Sequence, residues 1–164
     1  MTEREMLEAA ARARGMHVLA EGEPWPSECE GWFFKEVDGR AYLWNLDGPA
    51  RPWNPRHCGE QAMDLAAALR ISVEHNHPAD NHPWVSASVD GYTPTPERAC
   101  FGFMEDVPDE SQRADRMRLA ILRCAAAQAL AMGAETAENG SKTAGNGVDA
   151  GFHRGRGVAP KEQA

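Results

Sequence analysis

The chain lacks the feature that a membrane-spanning helix requires: no apolar run approaches roughly 20 residues. Positive charge is also in short supply. The 164 residues carry 17 Lys and Arg against 25 Asp and Glu, a formal net charge of −8. A protein that coats DNA or lies on an anionic membrane needs the opposite balance. Cysteine is scarce and scattered, at Cys29, Cys58, Cys100 and Cys124, with neither zinc-knuckle nor CxxC spacing. The opening stretch MTEREMLEAAARARG puts charges where a secretion signal needs an apolar centre, so a reducing, cytoplasmic setting without disulfides is expected. Catalytic signatures are missing too: there is no GxSxG elbow, HExxH pair, Walker loop or GxGxxG turn. No cofactor is expected, and a binding protein is favoured over an enzyme.

What is present organises the chain into one domain over residues 1–133. Residues 2–14 read as a helix, with Thr2 and Glu5 in capping-box spacing and Gly15 as the stop. GWFFKEV and RAYLWNL flank Asp38-Gly39, a hairpin turn that pairs Val37 with Arg40, Lys35 with Tyr42 and Phe33 with Trp44. Aromatics fall on both faces of this hairpin, so a helical layer on each side is expected. A second helix runs from Pro55 or Gly59 to Arg70, capped by Asn54, with Ala62, Leu65, Ala66 and Leu69 on its buried face. ISVEH, WVSASVD and ACFGFME read as three further strands. A long helix over 112–132 follows, capped by Asp109 or Ser111, with Met117, Ile121, Cys124 and Gln128 in one stripe, widened by Leu119, Leu122, Ala126 and Leu130.

The expected fold is therefore α+β, an α/β/α sandwich of order α-β-β-α-β-β-β-α with a mostly antiparallel sheet of about five strands. Residues 134–164 contain six glycines, one Phe and no Leu, Ile, Met, Trp or Tyr. Such a segment buries too little to offset its ordering entropy, so a disordered tail is expected. Its four acids balance its four bases, so the whole −8 belongs to residues 1–133, with 21 acids against 13 bases.

Three groups of residues could carry chemistry. His75, His77, His82 and Asp80 share a polar loop, HNHPADNHP, and offer ligands suited to a divalent ion. Nothing in their spacing forces them to converge, and the prolines and asparagines around them suit a plain loop equally well. Cys58 beside His57 is the one candidate for an activated thiol; Cys100 and Cys124 read as small buried hydrophobes. Trp25, Trp32, Trp44, Trp53 and Trp84 form the third group. Rings at strand ends can stack on planar ligands such as nucleobases, and Arg51, Arg56 and Arg98 could meet phosphates. Equally, the rings could seal sheet edges. The candidate ligand-binding set is Trp44, Trp53, Asn54, Arg56, Trp84 and Arg98.

The stretch WNPRHCGEQAMDLAAALRISV, then WVSASVDG and RLAILRCAAAQAL, resembles the phage ABA-sandwich domain, a family of small bacteriophage and prophage proteins. The shared parts are the W-N-P opening, the alanine-rich helix ending in L-R-I-S-V, the W-x-A strand and the closing A-I-x-R-x-A-A helix, together spanning residues 2–132. The chain departs from the pattern in its HNHPADNHP loop, in ACFGFMEDVPDE and in its tail. The resemblance implies a sheet between helical layers and a setting in a host bacterial cell, with no activity and no catalytic residue to carry over. By analogy with small phage proteins that act on host defence, the expected function is a non-enzymatic accessory protein that sequesters a small nucleotide-like ligand or defence signal. Two alternatives stand beside it: an adaptor that binds a host protein through an acidic surface, and a metal-dependent hydrolase built on the His75/His77/His82 loop. Exposed hairpin edges also lead us to expect a homo-oligomer.

Overall fold

The computed structural model describes residues 1–27, 30–45, 47–76, 81–89 and 101–143, and the backbone alone for 101 and 133–143. The fold is mixed α+β. In chain order it consists of α1 (Glu3–Ala13), β1 (His17–Val18), β2 (Phe33–Val37), β3 (Arg40–Trp44), β4 (Arg51–Pro52), α2 (Gly59–Leu69), β5 (Ser72–His75), β6 (Trp84–Val89), β7 (Phe101–Asp106) and α3 (Arg113–Thr143). A 3-10 turn at Glu110–Gln112 leads into α3. Among the described residues, no helix is long and apolar enough to cross a membrane.

Local chemistry sets the ends of these elements. Thr2 caps α1 through its hydroxyl, which accepts from the Glu5 N–H at 3.3 Å, while the Glu5 carboxylate accepts from the Thr2 N–H at 2.7 Å. Gly15 then turns the chain at φ +78°, a conformation open to glycine at no steric cost. At the hairpin tip Asp38 and Gly39 have φ of 50° and 72°, the pair of left-handed residues that matches the twist of the two strands. The expected register holds along the whole hairpin, from Val37 opposite Arg40 to Phe33 opposite Trp44. Asp109 caps the 3-10 turn, its carboxylate accepting from the Ser111 N–H at 2.8 Å.

The strands divide into two sheets rather than the one expected. The first has the order β1-β2-β3-β4, with β1 parallel to β2; the second has the order β5-β6-β7 and is antiparallel throughout. Strand β4 is two residues long and ends in Pro52, which has no N–H to offer a further neighbour. Periodicity reveals strands but not which strands are neighbours. The two-residue strands β1 and β4 are too short to show any periodicity.

One core joins both sheets. Phe34, Ala41, Leu43 and Trp53 from the first sheet and its margin meet Leu7, Ala10 and Ala11 of α1, Ala62, Leu65 and Ala66 of α2, and Ala120, Ile121, Leu122, Cys124 and Ala125 of α3; Ala87 of β6 joins them. Helix α3 packs against α1, α2, β6 and β7. The other face of the hairpin is covered by rings rather than by the second helical layer expected among the described residues. His17 stacks on Phe33 at 5.1 Å, and Trp44 bridges Phe33 and Trp25 at 5.9 and 5.7 Å.

Helix α3 also runs past its expected end at 132, through Thr143. Gly133 costs about 1 kcal/mol inside a helix but does not stop one, and the following A-E-T-A-E is rich in good helix formers. The expected tail therefore begins too early; residues 144–164 lie outside the described residues, as does Cys100. Leu130, placed on the buried face by spacing, is 59% exposed.

Leu65 of α2 is fully buried and Met63, two residues away, is exposed. Leu65→Ala is expected to cost about 2–5 kcal/mol in urea denaturation. Met63→Ala should stay within about 0.5 kcal/mol of the parent.

Candidate ligand-binding cavity

The segment between β4 and α2 holds most of the residues singled out by sequence, and the structure separates their roles. Trp53 is 2% exposed, and its ring meets Phe34 edge-on at 5.6 Å. It is a core residue. Asn54 builds the turn ahead of α2: its side-chain oxygen accepts from the Arg56 N–H at 3.0 Å, and its carbonyl accepts from the N–H groups of His57 and Cys58. The helix proper starts at Gly59, so Asn54 and Pro55 shape the approach rather than cap it.

Arg56 does not present a free cation. Its guanidinium grips both carboxylate oxygens of Asp115 on α3, one at 2.9 Å, and donates to the Asp115 carbonyl at 3.3 Å. Arg118 closes the cluster by donating to the Arg56 carbonyl at 3.0 Å and to Asp115 at 3.4 Å. This bidentate pairing is the strong form of an ion pair. It staples the turn before α2 onto the first turns of α3.

Trp84 stands elsewhere, half-buried at the start of β6. Its N–H donates to the side-chain oxygen of Asn76 at 3.0 Å, and Arg113 donates to both the Trp84 carbonyl and that same oxygen at 3.1 Å. The clamp closes the base of the histidine-bearing loop and ties the second sheet to the start of α3. Trp44 belongs to the ring stack on the outer face of the hairpin. Trp44, Trp53 and Trp84 therefore do not form one stacking surface, and Arg98 lies outside the described residues.

Of the metal candidates, His77 and Asp80 lie outside the described residues. His75 is exposed, and His82, with its side chain 81% exposed, faces Asp106 at 3.4 Å. No group of three His, Cys, Asp or Glu side chains among the described residues is placed to hold an ion. Next to Cys58, His57 directs Nε2 to Glu3 at 3.2 Å. Cys124 is fully buried, and burial pushes its thiol up to about 11, the behaviour of an inert core residue.

A different set of side chains does come together. A cavity of about 160 Å³ is lined by Arg14 from the end of α1, Trp32 before β2, Leu43 of β3, Arg51 and Pro52 of β4, Trp53, and Gln61 and Asp64 of α2. Gln61 fixes one wall, accepting from the Asn54 N–H at 2.6 Å and donating to the Pro52 carbonyl at 3.0 Å. Trp32 is 42% exposed, an aromatic ring left open to solvent. The Trp53 Nε1–H is buried without an acceptor among the described residues, a state that costs about 1–3 kcal/mol. Arg14, Arg51 and Asp64 are exposed and form no ion pair within 4.0 Å among the described residues. Two unspent guanidiniums and an open indole thus line one hollow on a protein of net charge −8.

A second hollow, of about 290 Å³, lies between α1, α3 and β7 and is lined by Met1, Met6, Phe103, Ala126 and Leu130 with Arg123. Its guanidinium is already committed to the buried carboxylate of Glu105. The side chains around it are otherwise apolar.

Trp32, Arg51 and Trp53 are the cavity residues noted from sequence, Trp32 among the five tryptophans but outside the candidate ligand-binding set. Arg14, Gln61 and Asp64 carry no such signal because each has an ordinary local role, at a helix end or on a helix surface. Their convergence is a tertiary fact with no signal in local spacing. No family model, no curated protein and no solved structure matches the chain.

Hydrogen bonds and charge from Arg56, with Arg118 nearby, hold the Asp115 carboxyl at about 2, below the usual 3.8. A depressed carboxyl stabilises the fold above its unfolded pKa, and that contribution disappears as pH falls from about 4 towards 2. The carboxylate is 40% exposed, and solvent screening limits its worth to about 1 kcal/mol. Asp115→Asn is expected to lose about that much at pH 7 and to converge on the parent by about pH 2, read as urea midpoints across pH.

Proposed function

We propose that this protein is a non-enzymatic binder of a small nucleotide-like ligand, acting as a bacteriophage or prophage accessory protein that sequesters such a molecule. The observation that carries the reading is the cavity between β4 and α2, lined by an open indole and by two arginines that form no ion pair within 4.0 Å among the described residues. Planar rings stack on indole faces, and guanidinium groups match phosphate oxygens in a fork geometry. Positive charge at this place is notable because residues 1–133 carry 21 acids against 13 bases. The phage setting rests on the resemblance of WNPRHCGEQAMDLAAALRISV and its companion segments.

That same acidic excess favours a second reading, an adaptor for a basic surface of a host protein. A stoichiometric host partner that is lost at high salt would support the adaptor. It would leave the cavity residues without effect.

The binder reading is tested by thermal shift of the full chain against nucleoside monophosphates, cyclic nucleotides and ADP-ribose derivatives. At least one class is expected to raise the melting temperature, as any ligand specific to the native state does. Trp32→Ala should weaken binding by about 1–3 kcal/mol, the usual worth of one base–aromatic stack. Combined replacement of Arg14 and Arg51 by Ala should remove the phosphate-dependent part. A flat response across the panel overturns the reading.

A further inference from the structure

A third charged side chain lines the cavity, and its sign is opposite to the other two. Asp64 projects from α2 one turn beyond Gln61 and forms no ion pair within 4.0 Å among the described residues. A site for an anion gains nothing from a carboxylate near the phosphate. Its presence makes sense if it addresses another part of the ligand, and the size of the cavity says which part. At about 160 Å³ the hollow is smaller than the roughly 300–1,000 Å³ that encloses a drug-sized molecule. It suits one ring system and leaves sugar and phosphate outside, where the exposed side chains of the lining residues Arg14 and Arg51 can meet them.

An ionised carboxylate only accepts hydrogen bonds, and it accepts two in parallel when a partner offers adjacent donors. Among the common nucleobases, guanine alone offers that pair on its Watson–Crick edge, from N1–H and the N2 amino group. Adenine and cytosine each set a donor beside an acceptor, and uracil flanks its single N–H with two carbonyls. Gln61 does not compete for the role, because its oxygen is held by the Asn54 N–H and its nitrogen by the Pro52 carbonyl.

We infer that the cavity selects a guanine mononucleotide. Asp64 reads the base edge, Trp32 stacks on the ring, and Arg14 and Arg51 meet the phosphate. The inference rests on the nucleotide-binding reading above and narrows it to one base. An extended ligand with two bases would leave the second outside the hollow.

Calorimetric titration of the full chain with GMP, IMP, AMP, CMP and UMP at pH 7 and low salt tests it. GMP is expected to bind at least about tenfold more tightly than AMP, a bidentate base contact being worth that much. IMP, which lacks the N2 amino group, should fall between them. Asp64→Asn replaces one acceptor oxygen by a donor and should lower GMP affinity about tenfold without lowering AMP affinity, since the amide matches the donor and acceptor of adenine. Asp64 is exposed, so the melting temperature of the unliganded variant should match the parent. Binding of several nucleotides with no preference for GMP overturns the guanine assignment and leaves the binder reading standing. A preference for GMP that survives Asp64→Asn overturns Asp64 as the group that reads the base. Absence of binding by all five overturns the guanine assignment together with nucleoside monophosphates as the ligand class.

Discussion

The packing of α3 is the constraint on which the rest depends. This helix meets α1, α2 and two strands of the second sheet, so its buried side has to serve several neighbours at once. The run from Ala120 through Ala126 does so with small side chains: Ala120, Cys124, Ala125 and Ala126 are all nearly inaccessible, and Ile121 and Leu122 supply the bulk between them. Small residues let neighbouring elements approach closely, and the few large ones fill the remaining space at crystal-like density. Neither sheet has a helix of its own to fill both faces. The first relies on Phe34, Leu43 and Trp53 reaching the common core, and the second on Val85 and Ala87.

Arginine chemistry then decides where the surface is available. Arg56 and Arg113 are used to fasten loops to the beginning of α3, one through Asp115 and the other through Asn76 and the Trp84 carbonyl. Arg123 is matched to the buried Glu105, and Arg4 lies among Glu8, Glu21 and Glu36. Arg14 and Arg51 are distinguished by their place: both line a hollow, and neither pairs with a carboxylate within 4.0 Å among the described residues.

Local order was legible in the sequence wherever the signal was local. The capping box at Thr2 and Glu5, the Asp38-Gly39 turn with its full register, and the alternation of Val85 and Ala87 against Trp84 and Ser86 are all readable because neighbours along the chain determine them. The division into two sheets was not legible, since it depends on where a two-residue strand ends at Pro52. The site suffered the same limit in a sharper form. Trp44 and Trp84 attract attention as rings near loops, yet one belongs to a ring stack and the other to a backbone clamp. Arg56 looks like a phosphate ligand until Asp115, 59 positions away, is seen in contact with it. Trp32 and Asp64, in contrast, acquire meaning only from each other's company.

Trp53 belongs to two systems at once. It is nearly inaccessible and packs edge-on against Phe34 at the centre of the fold, and it also forms part of the cavity wall. A molecule seated there would lean on the same side chain that holds the core together. Occupancy would therefore slow the opening motions through which proteases attack a marginally stable protein. Filled molecules would outlive empty ones, and the amount of protein in a cell would come to track the amount of its ligand.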